Sequence, residues 1–172
     1  MTTTLTQEEA TLALIKRATN LFQKRDVPFY QYAQLSDQKI ERLYEQATLL
    51  YEAEKYQQAA ELFEMLVVYH SQEPKYWNGL AASYQMLKKY QKAIAAYSKS
   101  FSLQKEDPLP LIHLFECYME LHDGPRAVAA LESILLITKN KQEDQAIYNQ
   151  AKSLKEILIK SSAYPLSTLA PL

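Results

Sequence analysis

The sequence predicts an all-α solenoid of three helical hairpins, preceded by one helix and closed by another. Three observations carry that expectation. First, Tyr56-Gln-Gln-Ala59, Tyr90-Gln-Lys-Ala93 and Gly124-Pro-Arg-Ala127 start 34 residues apart. The same step joins Phe63 to Tyr97 and Leu131, Leu50 to Tyr84 and Tyr118, and Ala47 to Ala81 and Phe115. A fixed period of this size is the mark of stacked supersecondary units. Second, Gly occurs only twice in 172 residues, at Gly79 and Gly124. That leaves almost no room for phosphate-cradling loops, tight β-hairpins or sheet bulges. Third, 48% of the chain is apolar and 23% charged, the balance of a folded globular protein.

The elements follow in order. Residues 1–35 form an N-terminal segment. Its helix, near 7–24, starts at the capping box Thr6-Gln-Glu-Glu9 and ends before Val27-Pro28. It carries an apolar stripe of Leu14, Ala18, Leu21 and Phe22. Residues 36–141 hold the repeats, at 40–73, 74–107 and 108–141, with Pro74 and Pro108 opening the second and third. Ser36 caps a helix over 37–53. Further helices are expected at 56–70, 75–87, 90–104, 109–121 and 125–138, the last with Pro125 at its first turn. A capping helix over 142–160 shows Ile147, Ala151, Leu154 and Leu158 on one face. The tail 161–172, with Pro165 and Pro171, reads as flexible.

The pattern resembles the tetratricopeptide repeat. The middle unit matches it best, with Trp77, Leu80, Ala81, Tyr84, Tyr90, Ala93 and Tyr97. Small residues at Ala47, Ala81, Ala59, Ala93 and Ala127 let two helix backbones approach. Large neighbours fill the flanks. Phe115 breaks this rule, so the third unit is expected to pack differently.

Charge and cysteine usage exclude several functions. With 19 basic and 20 acidic residues the net charge is −1, and no basic stripe is present. Nucleic-acid binding is therefore not expected. The single Cys117 cannot form an intramolecular disulfide or a multi-cysteine zinc site, and it fits a reducing compartment. No apolar run is long enough to insert into a membrane, and no signal peptide is evident. His113 and Cys117 are the one nearby His/Cys pair. Both read as packed toward the neighbouring hairpin rather than as a nucleophile or metal site. His122-Asp123 reads as a turn, and His70 as a helix end. Glu116 and Glu120 read as solvated acids on one helical face. No catalytic residue, metal or cofactor is expected.

In a helical hairpin of this kind the first helix lines the inner surface. Residues offset from the motif positions then face the groove: Tyr44, Thr48 and Tyr51, then Asn78, Ala82, Gln85 and Met86, then Ile112, Glu116 and Met119. This wall is aromatic, aliphatic and amide in character. It suits an extended peptide, with Asn78 and Gln85 holding backbone groups.

Several strings narrow the resemblance. Leu43-Tyr44 through Tyr51, the segment Tyr56 to Phe63, Gly79-Leu80-Ala81-Ala82, Tyr90 to Ile94, and His113 with Glu116-Cys117 are similar to the translocator chaperones of bacterial type III secretion, the SycD/LcrH type. The similarity covers about residues 12–155. It implies a bacterial cytoplasmic chaperone that holds secreted translocators in its groove until export. It also implies a homodimer through the N-terminal region, which the stripe Leu14, Ala18, Leu21 and Phe22 would serve. The competing reading is a general repeat adaptor that grips a partner's carboxyl terminus. That needs Lys, Arg and Asn on the inner faces, and only Asn78 of the residues above qualifies.

Overall fold

The computed structural model describes residues 37–161, and all of that stretch outside turns is α-helical. The helices are α1 (Asp37–Glu52), α2 (Tyr56–Tyr69), α3 (Pro74–Met86), α4 (Tyr90–Leu103), α5 (Leu109–Glu120), α6 (Gly124–Thr138) and α7 (Gln145–Lys160). The expected N-terminal helix, its stripe, the Ser36 cap and nearly all of the tail lie outside the described residues. Each helix packs mainly on its neighbours in sequence, and α1 also touches α3. The expected all-α tetratricopeptide-repeat solenoid is therefore the fold observed.

The 34-residue step has a physical cause in the hairpin turns. Glu54, Lys88 and His122 all adopt left-handed backbone, with φ of 59°, 57° and 55°. Around each, two backbone bonds close the preceding helix. At the middle turn these are Lys88 N–H to Gln85 O (2.9 Å) and Lys89 N–H to Tyr84 O (2.8 Å). The same pair recurs around Glu54 and around His122. This is the Schellman closure, which satisfies carbonyls that the helix leaves orphaned. The hairpin angle is thus set three times by one local device.

The core is one continuous cluster running through the stack. Ala47, Ala59, Ala81, Ala93 and Ala127 have no exposed surface, so helix backbones meet at these positions. Leu66, Tyr97, Leu131 and Ile134 fill the adjoining space, each 2% exposed or less. Three buried hydroxyls are satisfied within the fold. Ser83 and Thr138 donate back along their own helices to Gly79 O and Ile134 O, and Ser100 donates to Pro74 O across the second hairpin.

The third unit departs as expected. Phe115 is only partly buried, while Leu111, Leu114 and Cys117 supply the buried face of α5. Asp123 caps α6, its Oδ1 accepting from Arg126 N–H at 3.2 Å. The closing helix starts at Gln145 rather than at 142. Backbone turns from Thr138 to Lys141 and from Lys141 to Asp144 occupy those residues instead. Lys141 is held there by Glu106, at 2.9 Å.

Candidate functional site

A cavity of about 340 Å³ opens where the first helices of the hairpins meet. From α1 come Tyr44, Thr48 and Tyr51, one helical turn apart. From α3 come Lys75, Asn78, Gly79 and Ala82, and from α5 come Leu109 and His113. Phe63 of α2 and Tyr97 of α4 form its floor, since they are only 3% and 1% exposed.

Aromatic packing fixes the walls. The Tyr44 ring meets Phe63 edge-on at 6.2 Å and leans on Tyr76 at 5.5 Å. Tyr51 meets Tyr56 edge-on at 5.3 Å. Burial, with some help from Tyr56, raises the pKa of Tyr51, so its hydroxyl stays protonated. Gly79 is required by the floor. A Cβ built there would lie 2.3 Å from Phe63 Cε1, although the backbone itself is ordinary helix. The glycine is what lets the phenylalanine ring approach α3 this closely.

The polar groups divide into those already paired and those left open. Thr48 Oγ1 donates to Tyr44 O at 3.0 Å. Lys75 Nζ lies 3.1 Å from Glu41 and 4.4 Å above the Tyr44 ring. Burial would lower the Lys75 pKa, but the Glu41 hydrogen bond and the surrounding groups raise it on balance. Asn78 Oδ1 is buried and has no partner. That is unusual, since buried polar atoms are nearly always bonded.

Beside the cavity four side chains close a ring. Tyr97 Oη donates to Gln85 Oε1 at 2.8 Å, and Gln85 Nε2 donates to Glu116 Oε2 at 2.9 Å. His113 Nδ1 lies 2.9 Å from the same Glu116 oxygen, and its ring stacks on Tyr97 at 5.0 Å. The ring ties the second hairpin to the third.

Of the groove residues expected from sequence, Tyr44, Thr48, Tyr51, Asn78 and Ala82 share this cavity. Gln85 and Glu116 lie in the ring behind it. Ile112 and Met119 pack against the core, and Met86 is exposed at the end of α3. Two expectations need adjustment. His113 does pack toward the neighbouring hairpin, by stacking on Tyr97, but it is half-buried rather than buried and also lines the cavity. Glu116 and Glu120 are not simply solvated: Glu116 accepts from Gln85, and Glu120 accepts from Tyr90 Oη at 3.0 Å. Lys75, Gly79, Phe63, Tyr97 and Leu109 were missed. Phe63 and Tyr97 sit at motif positions that read as core, and they serve both purposes.

Cys117 is fully buried, and burial followed by the Glu116 and Glu120 charges pushes its thiol up to about 11. Among the described residues no group of three or more His, Cys, Asp or Glu could hold a metal ion. Among the same residues no helix is long and apolar enough to cross a membrane.

The repeat and the groove are those of a tetratricopeptide-repeat fold, and residues 40–72 and 74–107 match the tetratricopeptide repeat family. The chaperone SicA of Salmonella typhimurium is 30% identical over 112 residues, which are 65% of this chain and 64% of SicA's length. The type III secretion chaperone SycD of Yersinia enterocolitica, solved with a peptide of the translocator YopD, superposes with a TM-score of 0.67 at 25% identity. That likeness covers 73% of this chain and 96% of SycD, which has also been solved as an alternative dimer. PcrH, solved with the chaperone binding region of PopD, gives 0.68 at 25% identity over 74% of this chain and 96% of its own. The chain is thus similar to tetratricopeptide-repeat translocator chaperones of type III secretion, and it spans slightly less than two thirds of SicA's length.

Proposed function

We propose that this protein holds an extended segment of a secreted translocator in the cavity between α1, α3 and α5, keeping it soluble and export-competent in the bacterial cytoplasm. The observation that carries this reading is the cavity's construction. Aromatic rings from two hairpins line it together with the small residues Gly79 and Ala82, and Asn78 on the same wall carries an unpaired, buried amide oxygen. That arrangement fits a chain whose side chains fill pockets while its backbone meets polar groups. The peptide complexes of SycD and PcrH support it. Tyr44 and Tyr51 are the anchors, and Thr48, Asn78 and Ala82 shape the pocket. Gln85, Met86, Ile112, Glu116 and Met119 extend or brace the surface toward the third hairpin. The protein acts by binding and not as an enzyme, and it needs no cofactor.

Calorimetry with peptides from PopD and YopD tests this. The Tyr44→Ala/Tyr51→Ala double variant, folded by circular dichroism, should lose about 2 kcal/mol or more, roughly 30-fold in affinity. Unchanged affinity moves the site elsewhere. The competing adaptor reading gains one residue, since Lys75 lies in the cavity with Asn78. Glu41 already neutralises that lysine, which weakens its claim on a carboxylate.

We further propose a homodimer through residues 7–25, using Leu14, Ala18, Leu21 and Phe22. The alternative dimer of SycD supports it. Changing Leu14 and Leu21 to Glu should give monomer, because burying unpaired charge is costly. Light scattering that finds the unmodified protein monomeric at high micromolar concentration refutes it.

A further inference from the structure

Two cavity-lining residues each carry a polar atom without a protein partner among the described residues: Asn78 Oδ1, which is closed to solvent, and Nε2 of the part-exposed His113. Asn78 Oδ1 is buried and unpaired. His113 Nδ1 is 2.9 Å from Glu116 Oε2, an oxygen that also accepts from Gln85 Nε2. A carboxylate can only accept, so Nδ1 must carry the hydrogen. That leaves Nε2 of the neutral ring with a free lone pair. It has no hydrogen-bond partner among the described residues, and its ring lines the cavity. Both atoms are acceptors, and both lack a donor.

We propose that the cavity reads its ligand through N–H donors, with Asn78 Oδ1 and His113 Nε2 as the two acceptors and the ring of Tyr97, Gln85 and Glu116 as the device that holds His113 in the accepting form. This rests on the functional reading above and adds which groups of the bound segment are recognised: backbone or side-chain N–H, not carbonyl or carboxylate oxygen. Gln85 and Glu116 are positioning residues in this scheme. They touch no ligand, but they fix the tautomer and the ring orientation.

Three measurements on the full chain test this. Long-range proton–nitrogen NMR of the free protein should find His113 as the Nδ1–H tautomer at neutral to mildly basic pH, and the Nε2–H tautomer overturns the proposal. Asn78→Leu relieves a buried unpaired acceptor, so it should raise the melting temperature by about 2–6 °C. It should also weaken binding of the PopD or YopD peptide by about tenfold, the usual scale of a lost buried hydrogen bond. A lower melting temperature or unchanged affinity overturns the proposal. His113→Gln, whose amide oxygen can sit near Nε2, should keep more of the peptide affinity than His113→Leu, which offers no acceptor. Equal losses in the two variants overturn the role of His113. If neither peptide binds, the functional reading of the preceding subsection fails, and the tautomer and the Asn78→Leu melting temperature still uphold or overturn the acceptor pair.

Discussion

Single residues in this protein are constrained by what lies across the groove more than by their own helix. Gly79 shows this with numbers. Glycine inside a helix costs about 0.5–1 kcal/mol relative to alanine, so propensity alone favours replacement. The methyl group of alanine, however, would meet the Phe63 ring at 2.3–2.8 Å. Overpacking of that kind costs about 1–3 kcal/mol, so it outweighs the gain. Gly79→Ala should lower stability by about 1–2 kcal/mol in urea unfolding, and should displace Phe63 into the cavity. Peptide affinity should fall with it. Unchanged unfolding would mean that Phe63 moves freely. Cys117 is constrained differently. Its thiol, pushed up to about 11 from 9.0, is about 100-fold poorer in thiolate near pH 8 than an unshifted one. Reaction with a disulfide reagent should be slow in the native protein and complete in denaturant. Fast native labelling would contradict the burial.

At the scale of the helical element, the turn residues Glu54, Lys88 and His122 are the informative ones. Each holds a left-handed backbone without being glycine. That conformation costs an L-residue about 1–2 kcal/mol. Part of this is recovered on changing Lys88 to Gly, because glycine also loses more entropy on folding. We expect about 0.5–1 kcal/mol of stabilisation, or about 2–4 °C in melting temperature. A lower melting temperature would mean that the Lys88 side chain stabilises the turn. Ala93 is the opposite case, with no exposed surface at a helix contact. Ala93→Leu should destabilise by about 1–3 kcal/mol. Ala93 was legible as a repeat position, since the 34-residue step marks it directly, whereas the left-handed turn at Lys88 carries no glycine to announce it. The helices were legible to within a residue or so at most ends, because small residues and capping signals recur in register. The start of α7 was not, because no repeat copy precedes it to set the phase. The groove was half legible. Tyr44, Thr48, Tyr51, Asn78 and Ala82 follow from the face of a helix. His113 does not, because its direction depends on stacking with Tyr97 from another helix.

For the whole molecule, the distribution of charge matters more than its total. The cavity's one lysine is matched by Glu41, and the remaining lining is aromatic, aliphatic, hydroxyl, small or amide, with the His113 imidazole. Peptide binding should therefore change by less than about threefold between ~0.05 M and ~0.5 M salt, since exposed and unpaired charges are what salt screens. A steep loss of affinity would favour the adaptor reading over the chaperone. The architecture also sets how the chain comes into being. Because each helix packs chiefly on its sequence neighbours, contacts are local throughout. Chains of low contact order fold in microseconds to milliseconds. The ribosome adds only about 5–20 residues per second. Each hairpin thus has ample time to close and dock before the next emerges. The Tyr44, Tyr51 and Asn78 side of the cavity is assembled while His113 is still to be synthesised. A groove made in this order has its first wall standing before its second exists, so the last hairpin is the step that turns an open surface into an enclosed one.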